Sequence, residues 1–388
     1  MSSVGGVRPR PSAAGLREHL TVALRENLIP VGGRLPTEKA LMDQFSLSRT
    51  TVRKVLRDLE MEGLIERQQG RGTFRTAGRR RAGRLWLTGV WFNWLGGPHW
   101  GPMIEGIRDE MAHARYHCVF EVGGLNAGDE DRGIASLVRK DLDGFIVAPS
   151  SNPDDDHAPL IELIERRVPL VLIERALPGY DVDLVTTYHE LGAEECVSFL
   201  FEMGHRRIAY FGIEGLRARD GRLVGYTTAM ARHDLRFDPE WIKVHPRVTL
   251  SGAPNLDEEQ WITTVAGTRV ERSLCRRSVR ELISLPAERR PTAVFAINTT
   301  LAEFLIEELS QHGLRVPEDL SVVAFGEAGH PERHEPESQL TTYAQPNYAL
   351  GQQAARLLIQ RMDAPAEPRR TVLLQGRLHV GASTRPIA

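Results

Sequence analysis

Arg49 and Arg53 stand four residues apart, with Thr50 beside the first and Arg57 one turn further on. On a helix these residues share one exposed face. A guanidinium can clamp a guanine edge with two hydrogen bonds or hold a phosphate, and a threonine can reach a phosphate or a thymine methyl. Ser48-Arg49-Thr50-Thr51 would open that helix, whose N-terminal N–H groups also suit phosphate. An isolated basic helix is more often a solvated charged face. Here the surroundings favour nucleic acid. The stretch LPTEKALMDQFSLSRTTVRKVL, residues 35–56, reads as two short helices joined by a tight turn. The second has an apolar side for a core and a basic, hydroxyl-rich side for a DNA major groove.

The elements that must position this face are legible. A helix from Ser12 would carry Leu16, Leu20, Leu24 and Leu28 on one stripe, ended by Pro30 and Gly32-Gly33. Thr37 can cap the next helix, which offers Leu41, Met42 and Phe45 to the core. Ser48 can cap the third, whose buried stripe is Val52, Val55, Leu56 and Leu59, and Gly63 stops it. Residues 64–67 and 73–75 fit two short strands around the glycine-rich tip 68–72. Three helices and a hairpin make a winged helix, expected over residues 12–76. Residues 77–84 have no apolar periodicity and read as a basic linker.

Charge divides the chain the same way. Residues 1–84 hold 17 Lys and Arg against 8 Asp and Glu, while the other 304 hold 32 against 43. A basic head on an acidic body points to a polyanion partner for the head alone. Cys118, Cys196 and Cys275 form no CxxC pair, so neither a disulfide framework nor a zinc site is expected. No apolar signal core or span of roughly 20 residues is evident. The expectations are a cytoplasmic protein, no membrane association, and no metal or cofactor.

Beyond the linker, apolar runs suited to buried parallel strands alternate with helical stretches. The runs are residues 85–92, 119–122, 145–148, 170–173, 208–211, 293–296 and 321–325. This pattern implies an α/β fold with helices on both faces of its sheets, and about 300 residues imply two lobes. The first lobe is expected at about 85–187 and 329–363, and the second at about 188–328 and 370–384. The polar stretch 251–280 suggests helices around 258–265 and 270–284.

The head resembles the GntR winged-helix family. The residues that carry this are Leu35-Pro36-Thr37-Glu38, Leu47-Ser48-Arg49-Thr50-Thr51-Val52-Arg53, Glu62-Gly63-Leu64-Ile65 and Gln69-Gly70-Arg71-Gly72-Thr73-Phe74. The resemblance implies DNA contacts from Ser48, Arg49, Thr50, Thr51 and Arg53, and from the wing tip at Gly70 and Arg71. Lys39 stands where many members have an arginine, and it keeps the charge without the planar fork.

The body, residues 85–384, resembles the ligand-sensing domain of LacI-type repressors, itself similar to periplasmic binding proteins. Its carriers include residues 143–150 (DGFIVAPS), 168–175 (VPLVLIER), 203–210 (MGHRRIAY), 222–226 (RLVGY), 290–298 (RPTAVFAIN) and 316–323 (VPEDLSVV). Together the two resemblances match the arabinose-repressor architecture. They imply a ligand cleft with Arg222 and Asn298, and Ser150 at the end of its strand segment.

Two departures matter. Thr299 stands where an Asp is usual after the cleft Asn. Gly326-Glu327 replaces the usual acidic pair, so Glu327 is the remaining carboxylate there. Asn93, Trp94, His99 and Trp100 fall where cleft loops belong, and an indole face can stack on sugar C–H surfaces or simply pack. His205 fits a turn motif. His113 and His117 lack a third ligand partner. No nucleophile elbow, Walker loop or Rossmann glycine fingerprint is present.

The expected function is a transcription regulator, a repressor and not an enzyme. It would bind operator DNA as a homodimer and answer to a small polar effector, a carbohydrate first, with a phosphorylated sugar or a nucleoside as the alternative. A solute-binding protein and an enzyme–regulator fusion are the readings from other classes. The DNA head and the lack of a catalytic constellation count against them.

Overall fold

The computed structural model describes residues 12–25, 28–30, 32–61, 64–68, 71–75, 87–92, 99–123, 128–140, 142–150, 156–214, 221–248, 260–263, 269–326 and 340–387. The chain divides into two compact units, Met1–Leu85 and Trp86–Ala388.

The head opens with α1 (Ala13–Arg25), where Leu16, Leu20 and Leu24 are buried on one stripe. Leu28 does not continue it. The amides of Leu28 and Ile29 both return to the Ala23 carbonyl, Ile29 packs on the core, and Leu28 is 70% exposed. Thr37 caps α2 (Glu38–Phe45) by accepting from the Ala40 amide at 3.2 Å. That bond satisfies one of the open N–H groups of the first turn. Ser46 closes α2 in the left-handed conformation. Ser48 then accepts from the Thr51 amide at 3.3 Å and starts α3 (Arg49–Met61). Val52, Val55, Leu56 and Leu59 are buried against Leu16, Leu41 and Phe45. The wing is the antiparallel pair β1 (Ile65–Gln68) and β2 (Gly72–Arg75), extended by a bridge from Arg34 to Phe74. Gly72 has φ +123°, and a Cβ there would meet the Arg34 guanidine at 2.7 Å, so only glycine fits.

The body begins with β3 (Leu87–Phe92), α4 (Trp100–His113), β4 (His117–Val122), α5 (Asp129–Val138), β5 (Gly144–Val147), α6 (Ala158–Glu165), β6 (Leu170–Ile173) and β7 (Asp183–Thr187). There follow α7 (His189–Glu202), β8 (Ile208–Ile213), α8 (Gly221–Arg232), β9 (Ile242–His245), β10 (Arg247–Val248), β11 (Trp261–Thr263), β12 (Arg269–Glu271) and α9 (Arg272–Ile283). The last third contains β13 (Ala293–Ala296), α10 (Thr299–Gln311), β14 (Ser321–Phe325), β15 (Thr341–Ala344), α11 (Asn347–Asp363), β16 (Thr371–Leu374) and β17 (Arg377–His379).

Two six-stranded sheets organise these elements. One has the order β16-β7-β6-β5-β3-β4 and is parallel throughout. The other has the order β17-β15-β14-β13-β8-β9, with only β17 antiparallel. Every residue of β5, β6, β8, β13 and β14 is buried, as strands covered by helices on both faces must be. In the first lobe, α4 and α11 cross at Gly106 and Gly351. A Cβ on Gly106 would lie 2.1 Å from the Tyr348 carbonyl, and one on Gly351 would lie 2.0 Å from the Met103 carbonyl. Backbones touch there, and any side chain would push the helices apart.

Among the described residues the chain passes between lobes three times, at residues 187–189, 344–347 and 374–377. This corrects the expected boundaries. Residues 341–344 form β15 of the second sheet, and residues 371–374 form β16 of the first. β15 adds beside β14 and β16 beside β7, because a strand finds its hydrogen bonds only at an open sheet edge. Residues 261–263 are strand and not helix, and 269–271 form a strand before α9. With β10 they make a small antiparallel sheet in the order β10-β12-β11. The expected linker at 77–84 lies outside the described residues.

Candidate functional site: a DNA-binding face and a ligand cleft

On the head, α3 keeps its apolar stripe inside and leaves Arg49, Thr50, Arg53, Lys54 and Arg57 exposed. Glu38, the first residue of α2, gathers this face. Its Oε2 lies 3.4 Å from Arg49 Nε, and its Oε1 lies 3.6 Å from Arg53 Nε and 3.9 Å from Arg67 Nη1. Arg67, on the wing strand β1, also donates to the Arg53 carbonyl at 3.4 Å. One carboxylate thus holds three guanidiniums from α3 and the wing on the same side. Such exposed pairs are worth about 0–1 kcal/mol, so exchanging them for phosphates costs little.

Ser48 Oγ lies 2.8 Å from the Thr50 hydroxyl and 2.9 Å from that of Thr51. A hydroxyl cluster therefore sits at the N-terminus of α3, where anions are favoured. Lys39 and Arg71 are exposed. Gly70 lies outside the described residues. No helix among the described residues is long and apolar enough to cross a membrane.

In the body, the strand ends of both lobes meet at the crossings. Arg222, early in α8, donates through Nη1 to the Ile297 carbonyl at 3.2 Å, and its guanidinium lies 4.4 Å from the centre of the Phe325 ring. Asn298 follows Ile297 and caps α10, its Oδ1 accepting from the Leu301 amide at 2.8 Å. That bond takes one lone pair of the side-chain oxygen and leaves the amide protons as donors. Gly326, at the end of β14, lies against the backbone of Asn298 and Thr299. The structure thus brings Arg222 and Asn298 together.

From the first lobe come Glu174 and Arg175, directly after β6. Glu174 has φ +68°, a conformation that costs a non-glycine residue strain and often marks a working site. It accepts from the Thr187 hydroxyl at 3.5 Å and lies 4.0 Å from His99 Nε2. Gln345 donates to Thr187 at 3.0 Å, and Asn347 lies 3.4 Å from His99 Nδ1. Arg175 donates to the Pro149 carbonyl at 3.0 Å. Burial pushes its guanidinium down to about 10, with Glu174 opposing and Arg247 and Arg222 adding to the fall.

His189 opens α7 at the first crossing and packs on Phe325, ring centres 5.5 Å apart. Burial holds its imidazole well below the usual 6.5, and Arg222, His99 and Arg175 push the same way.

The other expected residues fall differently. Trp100 is fully buried, packed on Phe92 and His99 in the first-lobe core, and offers no face to a ligand. Ser150 is held through its backbone amide by Glu130, whose other oxygen contacts His157. Asn93, Trp94 and Glu327 lie outside the described residues. His205 is buried between Thr292 and the Arg385 carbonyl, as a turn residue should be.

The sequence reading did not single out Glu174, Arg175, Thr187, His189, Arg247 or Gln345 as ligand or hinge residues. Glu174 and Arg175 directly follow a recognised strand, so their position alone could have marked them. His189 and Arg247 follow β7 and β9, strands that the apolar pattern did not reveal.

Residues 13–74 match the bacterial regulatory proteins of the gntR family, and residues 197–384 match the periplasmic binding protein-like domain. The arabinose metabolism transcriptional repressor of Geobacillus stearothermophilus is 29% identical over 336 residues, covering 85% of each chain. The repressor CytR of Escherichia coli K12 is 26% identical over 350 residues, covering 90% of this chain and 92% of its own. Among solved structures, the transcription regulator CcpA of Lactococcus lactis has a TM-score of 0.60 at 21% identity, covering 78% of this chain and 100% of its own.

Proposed function

Because the chain is a transcription regulator that joins a GntR-type DNA-binding domain to a periplasmic-binding-protein-like domain, we propose that it is a repressor controlled by a small polar metabolite. The metabolite, a carbohydrate or a nucleoside, is held between the two lobes of the body. The observation that carries this reading is His189. It opens α7 where the chain crosses between the lobes, beside Thr187, which contacts Glu174 of the first lobe, and it packs on Phe325 of the second, the ring that also carries the Arg222 guanidinium. A ligand in contact with these groups would touch both lobes at once and favour one lobe arrangement over another.

Control needs only differential affinity of the ligand for the two arrangements. The DNA-binding form is a homodimer, since one winged helix makes a small interface and two tethered heads gain effective concentration. Its operator is two-fold symmetric. On the head, Ser48, Arg49, Thr50, Thr51 and Arg53 make the major-groove contacts, with Lys39, Gly70 and Arg71 supporting them.

The test is a thermal-shift screen of full-length protein against sugars, sugar phosphates and nucleosides. A true ligand raises apparent stability in proportion to its occupancy of the native state. Arg222→Ala should abolish that shift. A ligand that stabilises parent and variant equally would place the effector site elsewhere.

A further inference from the structure

We propose that the stacked rings of Phe325 and Tyr343 form the pivot that passes effector contact at Arg222 to the segments joining the lobes, with Phe325 as its positioning residue. This rests on the cleft reading above and names how that site acts on the lobes. The two residues pair across the parallel strands β14 and β15, their ring centres lie 5.0 Å apart, and both are fully buried. Arg222 lays its guanidinium on the Phe325 ring, 4.4 Å from its centre. His189, at the first crossing, packs on the same ring at 5.5 Å. Tyr343 stands next to the second crossing, and its hydroxyl accepts from the Gly376 amide of the third at 2.9 Å.

Close approach fixes this arrangement. A Cβ on Gly192 of α7 would lie 2.4 Å from the Tyr343 ring and 2.7 Å from the Phe325 ring. One on Gly376 would lie 2.7 Å from the Tyr343 ring and 2.1 Å from the Ala344 carbonyl. One on Gly221, beside Arg222, would lie 3.0 Å from the His189 Cβ. The first turn of α7 and the third crossing thus rest directly on the two rings. Groups packed this tightly pass a displacement on instead of absorbing it. A ligand oxygen that draws on the Arg222 guanidinium competes with the Ile297 carbonyl and the Phe325 ring face. As the guanidinium moves, Phe325 tilts and Tyr343 follows, and its hydroxyl swings away from the Gly376 amide.

The experiment follows hydrogen–deuterium exchange in the full-length protein without any small molecule. Phe325→Leu removes the ring under Arg222, and Tyr343→Phe keeps the stack and removes only the hydroxyl. Each should speed exchange over residues 374–377 by about fivefold, the scale of one lost hydrogen bond. The double variant should be no faster than the faster single, because both changes cut the same link. Phe325→Met, which fills the space without a flat face, replaces Phe325→Leu if that variant folds poorly. A second arm measures operator binding by fluorescence anisotropy with ribose, arabinose, ribose 5-phosphate and adenosine. Whichever of these raises the thermal stability of the parent should still raise that of Tyr343→Phe, yet change its operator Kd about fivefold less.

Faster exchange at 374–377 in both single variants, non-additive in the double, supports the pivot. Unchanged exchange there in the Phe325 variant, or effects that add, overturns it. So does a full operator response in Tyr343→Phe. If none of the four compounds binds, exchange alone decides. A compound that stabilises Arg222→Ala as it does the parent overturns the cleft reading, and the exchange result on the pivot stands apart from that failure.

Discussion

The Gln345 side chain donates to the Thr187 hydroxyl at 3.0 Å, joining two of the three segments that pass between the lobes of the body. The third is tied in as well, by the Tyr188 amide to the Leu374 carbonyl at 2.8 Å and the Gly376 amide to the Tyr343 hydroxyl at 2.9 Å. Thr187 passes the connection on to Glu174 at the cleft wall. A few hydrogen bonds thus link Glu174 to all three segments that pass between the lobes. Gln345→Leu should shift the effector concentration needed for half response by severalfold, consistent with about 0.5–1.5 kcal/mol for one such bond. DNA affinity without effector measures the resting balance of lobe arrangements. An unchanged dose–response curve would show that this bond does not bias the lobes.

Glu38 predicts a paired effect on the head. Arg49→Ala and Arg53→Ala should each cost about 1–3 kcal/mol of operator binding if they read a base or a close phosphate. Glu38→Gln removes the shared counter-charge of both arginines. It should weaken discrimination between operator and random DNA while leaving or raising affinity for random DNA. Competition binding at two salt concentrations measures this, and affinity should fall steeply as salt rises. Full operator affinity in both arginine variants would refute the assigned face.

Asp183, which opens β7, and Arg361 of α11 form a buried pair. Asp183 accepts from Arg361 at 2.6 and 3.0 Å and from the Arg370 amide at 2.8 Å, and Arg361 also donates to the Pro368 carbonyl at 2.9 Å. Asp183→Ala leaves a buried guanidinium without its carboxylate and should cost about 3–5 kcal/mol. Urea unfolding of the full chain tests it. A loss below about 1 kcal/mol would mean that water reaches Arg361.

How much of this was legible in the sequence follows from how local each signal is. Thr37 and Ser48 cap their helices as their types and positions foretold, because capping involves only three or four neighbouring residues. The stripe Val52, Val55, Leu56 and Leu59 faced inward for the same reason. Arg222 and Asn298 were singled out by resemblance, and the Arg222 guanidinium reaches the carbonyl of Ile297, next to Asn298. The lobe boundaries were misplaced because β16 finds its partner in the distant strand β7, with Thr371 opposite Leu184, and β15 finds its partner in β14 on the far side of a long connection. Residues 261–263 are a strand because β12 offers an edge, and three residues are too few to display a period. Trp100 looked like a stacking surface, but its ring fills the space between Phe92 and His99.

Acid should destabilise the body. Burial, as the largest cause in each case, holds the imidazoles of His189, His205 and His245 below their usual 6.5. The folded state therefore binds fewer protons than the unfolded chain once pH drops below that value. Stability is full above about pH 7 and falls progressively as pH goes from 6.5 toward the lower folded values. Urea midpoints at pH 7.5 and 5.5 should show the decline, and His189→Gln should reduce it. Equal midpoints at both values would contradict the direction of these shifts.

The central claim is that occupancy of the cleft at Arg222 sets the grip of the head on DNA. Its most direct test is fluorescence anisotropy on an operator selected from random DNA by the full-length protein. The operator is titrated with and without the ligand that raises thermal stability. The parent should change its apparent operator Kd by about 5–150-fold on adding ligand, the usual range of coupling between two sites. Arg222→Ala should bind the operator with the parent's ligand-free affinity and show no change on adding ligand. An Arg222→Ala variant that responds like the parent would contradict the account.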